Sequence, residues 1–185
     1  MQTNQYAAEI VKELNRTVGL LPEKETEYFV NEILQAKRIF VAGAGRSGLM
    51  IKAFAMRLVH LGFEAYVVGE TVTPGVQKGD LFIIGSGSGE TKSLVSMAQK
   101  ATLIGTKLAL VTIFPESTIG KLADVVIPLP GSPKDKANCD YQTIQPMGSL
   151  FEQTLIVFYD AAILRLMEIR GMDSETMYGL HANLE

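Results

Sequence analysis

Twice in this chain an apolar run breaks into a glycine-rich turn and re-emerges with helical spacing. Arg38-Ile39-Phe40-Val41-Ala42 leads into Gly43-Ala44-Gly45-Arg46-Ser47-Gly48. Leu81-Phe82-Ile83-Ile84 leads into Gly85-Ser86-Gly87-Ser88-Gly89-Glu90-Thr91. A strand that turns through glycine into a helix start presents unbonded backbone N–H groups at the positive end of the helix dipole. Such a place binds phosphate. The turns also carry the hydroxyls of Ser47, Ser86, Ser88 and Thr91, which can donate to phosphate oxygens. Two such turns predict a phosphorylated small molecule held at strand ends.

The pattern around the turns sets the fold class. Strands are expected at 38–42, 64–68, 80–84, 107–113 and 124–128. Helices are expected at about 46–61 and 90–104, with a short one near 117–122. Apolar strands alternating with helices predict a parallel sheet covered on both faces, an α/β architecture. Ahead of the sheet, Ala7, Ile10, Val11, Leu14 and Val18 recur at helical spacing. A second helix is expected to start at Pro22, with Glu23 and Glu25 favouring its first turn. Residues 1–36 therefore read as an N-terminal helical extension. The polar stretch 131–145 reads as a working loop. The helix expected at about 148–170 is apolar around most of its circumference, so it needs cover on most sides, and a partner subunit is the expected cover.

Composition narrows the function. With 185 residues, 47% of them hydrophobic, the chain suits one domain, residues 1–185, with a sizeable core. A formal net charge of −3 lacks the basic footprint of a nucleic-acid binder. The longest stretch free of Asp, Glu, Lys and Arg, Tyr141 to Phe151, is far short of the roughly 20 residues that cross a bilayer. Met1 to Ala8 shows no secretory signal. Cys139 is the only cysteine, which excludes an intrachain disulfide and a cysteine-rich zinc cluster. A reduced, cytoplasmic setting is expected. Two histidines and one cysteine argue against a dedicated transition-metal site.

Other readings of the turns fit less well. Gly43, Gly45 and Gly48 satisfy G-x-G-x-x-G, a dinucleotide signature. The acid that should bind ribose would be Glu70, which lies past the end of the second strand, behind Gly69. The second turn has no place in that scheme. Neither turn ends in the Gly-Lys-Ser/Thr of a P-loop. The nucleophile elbow Gly-x-Ser-x-Gly finds only Gly85-Ser86-Gly87-Ser88-Gly89, whose central residue is glycine. Glycines that merely shape tight turns leave the hydroxyls unexplained.

Three ionisable residues remain. Glu152 stands near the start of the apolar helix, where an acid commonly only complements the dipole. On a buried helix it also becomes a usable base for proton transfer. His60 ends the helix 46–61, a position that suits an imidazole structurally. His181 lies in the tail Tyr178-Gly179-Leu180-His181-Ala182 and gains meaning only if the tail folds over a site, in its own or a neighbouring subunit.

With these residues together, the chain resembles sugar isomerase (SIS) domains, and among them the 6-phospho-3-hexuloisomerases of the ribulose monophosphate pathway. The Gly-Ser-Gly-Glu-Thr segment at 87–91 marks the SIS superfamily. The turn Gly45-Arg46-Ser47-Gly48, Val68-Gly69-Glu70-Thr71 and the helix start Phe151-Glu152-Gln153 match the hexuloisomerases. The resemblance covers essentially the whole chain. It implies a three-layer αβα sandwich around a five-stranded parallel sheet, and a homotetramer. It also implies interconversion of D-arabino-hex-3-ulose 6-phosphate and fructose 6-phosphate without a cofactor. By resemblance, Ser86, Gly87, Ser88 and Thr91 hold the phosphate with Ser47 beside them. Glu152 is the expected base and His181 the expected second proton carrier. Arg46 is expected to face either enediolate or phosphate. The competing expectations are an aldose–ketose isomerase such as an arabinose 5-phosphate isomerase, and a non-catalytic sugar-phosphate sensor. A sensor would want a DNA-binding segment, and residues 1–36 lack a convincing helix-turn-helix.

Overall fold

The computed structural model describes residues 1–132 and 142–183. Its elements run α1 Thr3–Val18, α2 Glu23–Gln35, β1 Ile39–Gly43, α3 Gly45–His60, β2 Ala65–Val67, β3 Leu81–Gly85, α4 Lys92–Ile104, β4 Lys107–Thr112, β5 Val125–Pro128, α5 Ser149–Arg170 and α6 Ser174–Tyr178. Most of the expected loop 131–145, with Cys139, lies outside the described residues.

The five strands form one parallel sheet in the order β2-β1-β3-β4-β5. Side chains alternate across a strand, so each strand feeds two cores. Ile39, Val41, Leu81, Ile83, Ala109 and Val111 face a cluster with α2, α3 and α5. Phe40, Ala42, Phe82, Ile84, Leu108 and Leu110 face the opposite way, onto Leu94, Ala98 and Ala101 of α4. That is the three-layer arrangement expected, and it explains why both faces of these strands read as apolar. Within the larger core Phe54 stacks on Tyr159, centroids 4.4 Å apart and planes 11° from parallel. The first two helices form as expected, with Pro22 at the N-cap of α2 and Glu23 and Glu25 in its first turn. Helix α1 packs on α5.

Two expectations need correction. No helix forms at 117–122, where the chain is a run of turns. The donors at its start are held by a distant turn and by a side chain. Ile119 N donates to Gly89 O at 3.2 Å, Thr118 N to the Glu90 carboxylate at 2.6 Å, and Gly120 N to Ser117 Oγ at 3.2 Å. Lys121 N reaches Ser117 O and Ala123 N reaches Ile119 O, but between them Leu122 N turns to Ile119 O, so no two consecutive i→i−4 bonds form. The second correction concerns α5. Much of its apolar circumference is covered within the chain, by α1, α2 and α3. What stays exposed is narrower: Ile169 near the C-terminus of α5, Val59 near that of α3, and two pairs, Val157 with Leu164 on α5 and Leu49 with Met56 on α3. Each pair is seven residues apart and therefore shares one helix face.

Candidate active site

In the order 2-1-3-4-5, the connections from β1 and β3 leave on opposite sides, and open α/β sheets bind ligands in the crevice at such a switch point. The two glycine turns are the C-terminal continuations of these two strands. Gly43 pairs in register with Gly85, so the turns stand side by side.

The first turn depends on close backbone approach. A Cβ on Gly48 would lie 2.7 Å from Gly43 O, and one on Gly43 would lie 2.9 Å from Gly48 Cα. Only glycine at both positions lets strand and helix meet so tightly. The second turn is braced by its neighbours. Gly87 O accepts from Ile113 N at 3.1 Å and from Thr112 Oγ1 at 3.2 Å. Gly89 has φ 62°, and a Cβ there would fall 2.0 Å from Ser117 Oγ. Ser86 Oγ accepts from Gly89 N at 3.2 Å, and Ser88 Oγ accepts from Glu90 N at 3.2 Å. Both hydroxyls thus shape the turn as acceptors and keep an O–H for an anion. Thr91 is the N-cap of α4 but makes no side-chain cap hydrogen bond, so the helix does not use its hydroxyl.

Both turns open on a cavity of about 430 Å³. Ser47, Ser86, Gly87, Ser88, Thr91 and Glu152 line it. Its apolar wall comes from Leu94, Ile113 and Phe151. This volume suits a small ligand. Glu152 enters from the first turn of α5, 6% exposed. Arg46 reaches across from α3, its Nε 3.2 Å from Glu152 Oε2 and its Nη1 donating to Ser149 Oγ at 3.0 Å. The site therefore brings hydroxyl and N–H donors together with a carboxylate and its cation.

The chain belongs to the SIS-domain family. The family model, SIS domain, matches residues 32–163. A Bacillus subtilis relative named 3-hexulose-6-phosphate isomerase is 58% identical over 185 residues, covering all of both chains. A Methylomonas aminofaciens relative of the same name is 38% identical over 182 residues, 98% of this chain and 99% of its own. Among solved structures, a Methanococcus jannaschii protein inferred to be a 3-hexulose-6-phosphate isomerase superposes with a TM-score of 0.83 at 32% identity, covering 98% and 99% of the two chains. The sugar isomerase domain of a transcription factor from Sphaerobacter thermophilus matches at TM-score 0.74 and 18% identity, over 95% and 93% of the two chains, which speaks to the fold alone.

Of the residues singled out in the sequence, the fold brings Arg46, Ser47, Ser86, Gly87, Ser88, Thr91 and Glu152 together. It does not bring His181 to them within one chain. That ring lies 5.1 Å from His60 and 6.2 Å from Tyr178, beside a separate hollow of about 410 Å³ lined by Arg57 and Asp160. Asp160 is eight residues beyond Glu152, roughly 12 Å further along the helix. Sequence reasoning missed Ser149, which fixes the Arg46 fork, and Ser132, which lines the cavity. Ser149 could have been noticed as the hydroxyl one turn before Glu152. Ser132 carried no signal beyond its loop. Among the described residues no group of three or more His, Cys, Asp or Glu is placed to hold a metal ion.

Proposed function

We propose that the protein interconverts D-arabino-hex-3-ulose 6-phosphate and D-fructose 6-phosphate through a cis-enediol. The observation that carries this reading is the cavity where both glycine turns meet a buried carboxylate. The full-length relative at 58% identity supports the same substrate.

The turn at 85–91 and Ser47 hold the phosphate, far from the reacting carbons, so that its binding energy orients the sugar. Glu152 takes the proton from C2 of the 3-ulose. The C–H electron pair forms the C2–C3 double bond, and the carbonyl electrons move onto O3, giving an enediolate. Arg46 balances that charge. The O2 proton then passes to O3 as the C2 carbonyl forms, and Glu152 returns its proton to C3. One carboxylate serves both transfers because both carbons share one face of the enediol. The substrate is oxidised at one carbon and reduced at its neighbour, so no external oxidant enters the balance.

His181 is the second proton carrier in this reading, assisting ring opening of the furanose. Since it lies away from Glu152 in its own chain, a neighbouring subunit supplies it. The exposed faces of α3 and α5 are where such a neighbour sits, in a homotetramer. Residues 1–185 act as a single SIS domain in the cytoplasm. Among the described residues no helix is long and apolar enough to cross a membrane.

The test is incubation with fructose 6-phosphate in deuterated water, followed by NMR. The 3-ulose should form, with deuterium entering at C2 or C3. Deuterium entering at C1, with an aldose as product, would replace this reading with aldose–ketose isomerisation. Binding without turnover would favour a sensor.

A further inference from the structure

We propose that Glu13, on the outermost helix, is a positioning residue that sets where the Glu152 carboxylate stands by clasping the turn ahead of α5. The proposal rests on the reading of Glu152 as the base.

Helix α1 is largely exposed, yet Glu13 is 5% exposed. Its carboxylate accepts from three consecutive residues. Oε2 takes Thr143 Oγ1 at 2.6 Å and Gln145 Nε2 at 3.0 Å, and Oε1 takes Ile144 N at 2.8 Å. Hydrogen bonds to an ionised carboxylate are the strong kind. Burial alone would push the Glu13 carboxyl upward, but these donors outweigh it and hold it below the ordinary range. Four residues on, on the same face of α1, Thr17 Oγ1 lies 3.0 Å from Thr154 Oγ1, both residues fully buried. So α1 grips the chain upstream of α5 at 143–145 and downstream of Glu152 at Thr154.

Between these grips lies a strained point. Met147 has φ 54°, the only non-glycine residue with positive φ among the described residues. A side chain in that conformation persists only where its surroundings over-determine it. The next residues carry the site. Gly148 O accepts Glu152 N at 3.0 Å, and Ser149 holds Arg46. If Met147 relaxes, Glu152 and the anchor of its cation shift together.

The test compares wild type with Glu13→Gln, which keeps the shape but removes the charge. Turnover of fructose 6-phosphate should fall about 10-fold or more, the scale of a sub-ångström to 1 Å misplacement. KM should stay within about twofold, since the phosphate turn is untouched. Hydrogen exchange should quicken in peptides covering 146–152. Adding Met147→Gly to Glu13→Gln should recover part of the turnover, because glycine takes this φ without strain. Thr143→Val, which removes one donor, should act in the same direction more mildly and serves if Glu13→Gln folds poorly. A lower melting temperature with wild-type turnover and wild-type exchange at 146–152 would overturn the proposal and leave Glu13 as a stabilising residue only. If wild type does not turn over fructose 6-phosphate, the proposed function falls, and the exchange measurement still decides the clasp.

Discussion

Arg46 Nε stands 3.2 Å from Glu152 Oε2, joining the turn after β1 to the first turn of a helix more than one hundred positions later. The pair is asymmetric, with the arginine side chain 55% exposed and the carboxylate 8%. The exposed partner can swing toward developing charge while the buried one stays fixed. Glu152→Gln should lower turnover by on the order of 10²-fold or more, the scale of losing a general base, with fructose 6-phosphate still bound. Arg46→Gln should also lower turnover, with Glu152 left unpaired. Steady-state kinetics alongside ligand titration check both. Near-normal turnover in Glu152→Gln would place the base elsewhere.

Thr91 and Ser86 should separate phosphate binding from loop integrity. Thr91 leaves α4 uncapped by its side chain, so Thr91→Ala should raise KM while leaving the melting temperature nearly unchanged. Ser86 is buried and accepts from Gly89 N. Ser86→Ala should raise KM and also cost about 1–3 kcal/mol, because that donor is left without its acceptor. Equal melting temperatures for the two variants would contradict the distinction.

Gly89→Ala should be worse than either. It forces a side chain into φ 62° and drives a Cβ to 2.0 Å from Ser117 Oγ. The clash pushes apart the phosphate turn and the 115–120 turns that brace it. Loss of phosphate protection in thermal melts is the expected readout.

Stability should fall on mild acidification because of His60. Burial, then Arg57 and His181, hold its pKa below the ordinary value. Arg57 Nη1 lies 3.2 Å from His60 Nδ1, and an arginine can only donate, so the contact needs His60 neutral. The unfolded chain therefore binds more protons than the folded one once pH drops through about 6.5. The stabilising contribution is full above that value and is lost as pH falls through the folded pKa. Melting temperatures between pH 8 and 5 should decline, and His60→Gln should flatten the slope.

Sedimentation should show a species about four times the 20.2 kDa chain. Leu164→Glu with Met56→Glu should yield smaller species, since each exposed apolar side chain buried at an interface contributes roughly 1.5–3 kcal/mol. If a neighbour supplies His181, dissociation should also remove activity. Mixing Glu152→Gln with His181→Ala subunits should then restore part of it.

The legible parts of the sequence were those with local cause. The β1 and β3 turns could be read because the hydrophobic period changes at Gly43 and Gly85, and because those glycines are local requirements of the chain. The strand order placed the two turns together without being readable itself. Residues 117–122 misled because their composition permits a turn of helix, whereas contacts with Gly89 and Glu90, far back in the chain, hold Ile119 N and Thr118 N in a turn. Glu13 gave no sign for the same reason: its partners lie 130 to 132 positions away, and a glutamate in an amphipathic helix looks like any solvated acid. Ser149 and its grip on Arg46 likewise exist only after α3 and α5 pack.

If both turns hold the ligand as proposed, the register of Gly43 with Gly85 makes affinity a property of the whole domain. The two strand ends meet only after about forty intervening residues have closed into a loop. On that reading phosphate recognition arrives together with global folding. A sugar phosphate at 100 times its dissociation constant should then add about 2.7 kcal/mol against unfolding of the sheet as a unit. Hydrogen exchange should slow in β1, β3 and β4 together, with protection reaching far beyond the atoms the ligand touches.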